Sequence, residues 1–244
     1  MPLGINGWEL AAAFVLVTMA ATVQGAIGFG INLMVAPVLA VLIPGSVPGS
    51  MVLLSIPMTL TMLLREHHAI DWMGVRWLAI GRLPGTVVGV LVVAAVPDAE
   101  LALVVGGAIL VGVALSIAHP GIEVNRRTAF VTGTIAGVAG TAASVDGPPM
   151  ALLYQRAEPH TLRATLATSF LIGATVSAAA LAIAGELSVE QLVLTAMLLP
   201  GVGLGLALSG TLSRRLPPAA LRPFVLVFAT AAGLVAIVRG IVAI

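Results

Sequence analysis

The sequence predicts an all-α polytopic membrane protein of two inverted repeats, each a broken-helix hairpin followed by three full transmembrane helices. Three observations predict it. First, the 244 residues are 59% apolar and 9% charged, with mean hydropathy +1.14. The apolar residues fall in runs of about 20 between short polar loops, the length a helix needs to cross the hydrocarbon core. Second, two runs are interrupted by Gly- and Pro-rich stretches that no straight helix tolerates. Third, the arginines are segregated to one set of loops. A β-barrel would show short alternating segments instead.

The remaining composition narrows the class. Net charge is +1, leaving no basic face for nucleic acid. There is no cysteine, which excludes disulfides, thiolate metal sites and Cys nucleophiles. The start, MPLGINGWEL, lacks a basic n-region and an evident cleavage site, so no signal peptide is expected. All eleven basic residues are Arg, and no function is read from that.

The first apolar run, from about Trp8 to Ile43, is too long for one span. It contains Gln24-Gly25-Ala-Ile-Gly28-Phe-Gly30 and then Asn32, which argues for a break, so residues 8–43 are expected to form a hairpin. Helices are then expected over 47–64, 77–96 and 98–118. The third carries Gly81, Gly85 and Gly89 at the four-residue spacing of close helix packing. The second broken run, 128–155, contains Gly137–Tyr154, in which Asp146-Gly147 is followed by Pro148-Pro149. Two prolines there should end one helix and start another, with Pro at the first helical position. The bland alternative is a proline kink with Asp146 tucked against a neighbouring helix. Helices over 164–184, 191–212 and 221–242 complete the chain.

Three motif pairs recur in order. Gly25-x-x-Gly28 with Pro37 matches Gly137-x-x-Gly140 with Pro149. Leu83-Pro84-Gly85-x-x-x-Gly89 matches Leu199-Pro200-Gly201-x-x-x-Gly205, and Val96-Pro97-x-x-x-Leu101 matches Leu216-Pro217-x-x-x-Leu221. The repeats are therefore expected to be residues 1–121 and 122–244. Arg65, Arg76, Arg126, Arg127, Arg156, Arg163, Arg214, Arg215 and Arg222 sit in or beside four loops, while the other loops and the N-terminus hold Glu9, Asp98, Glu100, Glu186 and Glu190. Only Arg239 departs from this pattern. By the positive-inside rule the basic loops are cytoplasmic and the N-terminus is outside. Each broken run must then enter and return on one side, from opposite sides, and the tips are expected to meet near the midplane.

An Asp at membrane depth marks a functional site by default. Buried helix N-termini after each break favour an anion, and Gln24, Asn32, Thr141 and Ser144 supply neutral donors. The structural alternative is that these groups satisfy broken backbone. Arg82 and Arg163 either draw anions inward or anchor helix ends at the interface, and Arg82 is expected one to two turns inside its helix, snorkelling to the basic side. His67, His68, His119 and His160 all read as loop histidines, and no metal site or cofactor is expected. Desolvation and a neighbouring anion favour protonation of Asp146, making it the candidate proton-coupling group. The following helix N-terminus opposes this, and would instead make Asp146 a structural cap. Intramembrane protease chemistry needs a second membrane carboxylate, or a Gly-x-Ser-Gly turn with a membrane His, and neither is present; no P-loop exists.

Gly25-Ala-Ile-Gly-Phe-Gly30 with Pro37 resembles the N-terminal hairpin of the TauE/SafE (TSUP) family of sulfite and organosulfonate permeases. Ile70-Asp71-Trp72, Gly147-Pro148-Pro149-x-x-x-Leu153-Tyr154 and Arg163-Ala-Thr165 are similar to later motifs of that family. The resemblance covers about Gly7 to Ile241. It implies a secondary transporter in the bacterial cell inner membrane, moving a small sulfur-containing anion such as sulfite or sulfoacetate. It also implies that substrate is bound by Gln24, Gly25, Gly28, Gly30, Asn32, Thr141, Ser144, Gly147 and Arg163. One departure is Val145-Asp146, where relatives tend to have glycines. The expected partners are that anion and the lipid bilayer, with a homodimer left open and no nucleic acid. The competing class is a membrane scaffold or accessory subunit that transports nothing; broken helices favour the transporter.

Overall fold

A computed structural model of the chain describes residues 4–118, 122–215 and 218–243. His119, Pro120 and the Leu216-Pro217 motif lie outside the described residues, as do the side chains of Arg214, Arg215 and Arg222. The described residues form ten α-helices and no strand: α1 (Gly7–Ile27), α2 (Ile31–Leu42), α3 (Gly49–Arg65), α4 (Trp72–Ala95), α5 (Asp98–Ile117), α6 (Arg126–Ala143), α7 (Gly147–Leu153), α8 (Pro159–Ala184), α9 (Val189–Arg215) and α10 (Pro218–Ala243). Six of them, α1, α4, α5, α8, α9 and α10, are long and apolar enough to cross a membrane. At 17 residues α3 is shorter, about 25 Å long.

Both breaks fall where glycine and proline placed them. Helix α1 stops at Gly28, whose φ of 99° is left-handed and whose N–H bonds Gln24 O at 2.7 Å. Gly30, at φ 124°, precedes α2, and the Ile31 N–H donates to Gln24 Oε1 at 2.9 Å. The side chain of Gln24 thus caps the second arm from the end of the first. In the second break Ser144 adopts φ 59°, a conformation L-residues seldom visit. It is held there by Val145 N–H to Ala139 O at 3.0 Å and by its own hydroxyl donating to Pro48 O at 3.2 Å. Helix α7 begins at Gly147, so Pro148 is the second helical residue and not the first. It is only seven residues long, too short to carry much dipole.

Two helix starts differ from expectation. Helix α4 begins at Trp72 and not at 77, because Asp71 accepts the Gly74 N–H at 3.0 Å as an N-cap. Arg82 consequently lies about 15 Å along the axis, roughly three turns in. Helix α8 begins at Pro159 and not at 164, so Arg163 belongs to its first turns.

Glycine stripes hold the bundle. A β-carbon at Gly81 or Gly85 would collide with the carbonyl oxygens of Phe130 and Thr134, and one at Gly89 would lie 2.7 Å from Thr141 Cβ. Rising positions on α4 meet rising positions on α6, so these helices run in the same direction. Helix α9 packs on α1 in the same way: a β-carbon at Gly205 would lie 2.5 Å from Thr18 O, and one at Gly201 3.0 Å from Thr18 Oγ1. Without side chains in between, the backbones approach closely and dispersion contacts multiply. Elsewhere α5 and α2 pack on α10, α7 packs on α5, and α3 packs on α8.

Candidate functional site

The two breaks meet. A β-carbon at Gly147 would stand 3.6 Å from Phe29 Cβ, so residue 29 of one turn touches the first residue after the other. Between them lies a cavity of ≈ 30 Å³, room for about one water molecule. Of the residues singled out from the sequence, Gln24, Gly30, Asn32, Ser144, Asp146 and Gly147 line it. Ser55 and Thr59 of α3 add hydroxyls, and Ser55 exchanges hydrogen bonds with the Asn32 amide at 3.2 and 3.4 Å. Sequence reasoning missed these two, although the Ser55-x-x-x-Thr59 spacing on an apolar helix is a signal that could have found them.

Arg82 corrects the interface-anchor expectation. It is 4% exposed, and it reaches this cavity instead of a membrane surface. Its Nη1 donates to Asp146 Oδ2 at 2.9 Å. Its depth explains the difference: from three turns inside α4, snorkelling out is geometrically closed. The guanidinium occupies a slot made by glycines on two helices. A β-carbon at Gly140 would lie 2.7 Å from Arg82 Nη2, and one at Gly173 would overlap the guanidinium itself. Nη2 makes only a long contact of 3.5 Å to Ser177 Oγ, and Nε is buried with no partner among the described residues. Ser169 Oγ is likewise buried without a partner, beside a ≈ 10 Å³ cavity that it shares with Arg82. A buried guanidinium with a free donor is chemically suited to pairing with an anion.

Asp146 stands at the N-cap position of α7, yet its carboxylate makes no capping bond and turns to Arg82. Thr141 lies behind the cavity wall, sharing a 2.8 Å bond with Ser177 Oγ. Gly25, Gly28 and Arg163 stand apart from this group. Arg163 Nε lies 2.7 Å from both Glu66 oxygens, and a β-carbon at Gly28 would lie 3.1 Å from the Arg163 Cγ. With Gly25, Met62 and Arg65 this pair lines a second cavity of ≈ 20 Å³. Gln24 joins the two cavities: it lines the first, and its Nε2 contacts the Met62 sulfur of the second at 3.8 Å. Among the histidines, His160 Nδ1 lies 3.4 Å from an Arg163 nitrogen, and the His67 and His68 ring centroids lie 3.9 Å apart with the rings tilted by 39°.

Helices of membrane-crossing length around a buried polar site at two helix breaks define a polytopic membrane protein of the transporter class. The sequence model of the family described as "Sulfite exporter TauE/SafE" matches residues 13–236, and the chain belongs to that family. It is 32% identical over 157 residues to a Cupriavidus necator protein named "Probable sulfite/organosulfonate exporter TauE", a stretch covering 61% of this chain and 60% of that protein. No solved structure matches the chain.

Proposed function

We propose that the protein is a secondary transporter of a small sulfur-containing oxyanion, bound in the cavity between the two breaks. The observation that carries this is the buried Arg82 guanidinium facing that cavity, with an unpartnered Nε. The family and the name of the C. necator relative support the substrate class. From sequence, the anion preference rests on two opposed helix N-termini; with α7 so short, a full positive charge on Arg82 supports it more strongly. Neutral donors on Gln24, Asn32, Ser55, Thr59 and Ser144 complete the proposed site. Gly30 and Gly147 leave room beside it, and Thr141 backs it. Gly25, Gly28 and Arg163 are proposed to act on the approach and not in the first contact. Asp146 is the proposed proton-coupling group.

The reading includes two inverted repeats, 1–121 and 122–244. What supports this is reciprocal packing: the first helix of each half lies on the fourth of the other (α1 on α9, α6 on α4), the second on the fifth (α2 on α10, α7 on α5), and the third helices on each other. The basic loops are proposed to face the cytoplasm, with the N-terminus outside and the chain in the bacterial inner membrane. A non-transporting scaffold has no need of a buried cation between two broken helices.

The test is transport by purified, reconstituted protein against a panel of sulfite and short sulfonates. Uptake or exchange of one of them is expected, weakened by about 1–2 kcal/mol on Asn32→Ala or Ser144→Ala. Movement of a cation or neutral solute, with no response to any sulfur oxyanion, would falsify the reading.

A further inference from the structure

We propose that Arg82 exchanges partners during transport: the substrate oxyanion replaces the Asp146 carboxylate on the guanidinium, and Asp146 takes up one proton as it lets go. The inference rests on the anion-transporter reading and specifies how its coupling works. Three observations carry it: the pair itself, the free Nε beside it, and the charge inventory of the cavity wall.

Among the described residues lining the cavity, Arg82 and Asp146 are the ionisable ones. Every other polar group facing Asp146 there is neutral: Gln24 from α1, Asn32 from α2, Ser55 and Thr59 from α3, and Ser144 from the turn. Helix α8 presents Phe170 and Ala174, α6 presents Gly140, and α7 presents Pro148, with Gly112 of α5 packed behind that proline. The site therefore holds one positive and one negative charge, with zero sum.

A buried net charge is far costlier than a compensated pair. If a singly charged oxyanion enters while Asp146 stays ionised, the site holds a net charge of −1. If a proton enters alone, Arg82 is left uncompensated at +1. If both enter, Asp146 becomes neutral, Arg82 pairs with the oxyanion, and the sum returns to zero. The proton comes from water on the side that the cavity faces and leaves with the anion. The only bond that changes is the O–H bond formed on the Asp146 carboxylate when the proton is taken up and broken when it is released, and only compensated forms cross the membrane readily. One proton per univalent anion follows, with positive coupling between the two. The Gly140–Gly173 slot holds the guanidinium in place, so the carboxylate on its short turn is the part that moves. The protonated carboxyl can then donate a hydrogen bond to the bound oxyanion, whereas the carboxylate would repel it.

The experiment is calorimetric titration of purified protein with methanesulfonate, which keeps one charge at all working pH, and with sulfite. Two buffers of different ionisation heat report the protons taken up per anion. Wild type is expected to take up about one, with affinity falling about tenfold per pH unit on the alkaline side. Asp146→Asn is expected to bind with no proton uptake and no pH slope. In proteoliposomes that variant should keep anion-for-anion exchange and lose accumulation driven by a pH gradient. Asp146→Glu, which keeps a titrating group, should retain the slope. Anion binding by wild type without proton uptake overturns the exchange and leaves the transporter reading standing. A one-proton slope retained by the Asn variant does the same, and the wild-type proton count needs no variant to fold. If wild type binds neither probe but moves another solute, the transporter reading itself fails, and the exchange with it.

Discussion

Arg163 Nε sits midway between the two carboxylate oxygens of Glu66, 2.7 Å from each, across 97 residues of sequence. The pair lines the small cavity that Met62, in contact with Gln24 of the central cavity, also lines. The side chains are 22% and 31% exposed, so the pair is worth at most about 1 kcal/mol. Its expected role is to control access and not to hold the fold. Glu66→Gln should therefore leave the melting temperature nearly unchanged, while a cysteine at Met62 labels several-fold faster from the Arg-rich side. Unchanged labelling would remove the gating role.

Tyr154 donates its hydroxyl to Asp71 Oδ2 at 2.8 Å, and the Asp71 N–H donates to Thr165 Oγ1 at 3.0 Å. These bonds tie the end of α7 to the starts of α4 and α8. Tyr154→Phe is expected to destabilise by roughly 1–2 kcal/mol, the scale of a hydrogen bond to a charged acceptor. Gly74→Ala should cost more, because its β-carbon would fall on the Tyr154 hydroxyl. Thermal unfolding in detergent checks both, and a Phe variant as stable as wild type would discount the tie.

The glycine stripes predict a contrast between packed and open positions. Gly85→Ala forces a methyl into the Thr134 carbonyl and should destabilise by about 1–3 kcal/mol. Gly203→Ala and Gly107→Ala meet open space and should be neutral or slightly stabilising. Equal effects at Gly85 and Gly203 would mean that backbone contact between α4 and α6 does not matter.

Gly173→Ala should push Arg82 out of its slot. Sulfite or methanesulfonate binding is expected to weaken at least tenfold, or about 1.4 kcal/mol, with Gly107→Ala as the control. Undiminished binding by a folded Gly173→Ala protein would argue that Arg82 is not the anion's partner.

Topology is checked by single cysteines in this Cys-free chain. Cysteine at Gly7 or Glu190 should label from the outer face, and cysteine at Glu158 from the inner face; all three positions are exposed or partly exposed. Ser46, in the loop between α2 and α3, is fully buried and would report nothing. Opposite labelling of Gly7 and Glu190 would undo the first hairpin as assigned.

The helical membrane class, both breaks and the close-packed glycine faces are legible in the amino-acid order alone. These are local or periodic matters: hydropathy over about 20 residues, glycine's access to left-handed backbone, proline's missing N–H and a four-residue spacing all act within a few turns. Gln24, Asn32, Ser144 and Asp146 are legible too, because a polar group beside a break in an apolar run is costly to bury unless something binds it. Which charges meet was settled only by the folded arrangement. Arg82 and Asp146 are 64 residues apart, and Arg163 and Glu66 are 97 apart. A start misplaced by five residues at α4, where Asp71 supplies an unnoticed cap, was enough to turn a buried counter-ion into an interface anchor. Glycines on α6 and α8 made room for it, and no periodicity along one helix records the slot that two others leave open.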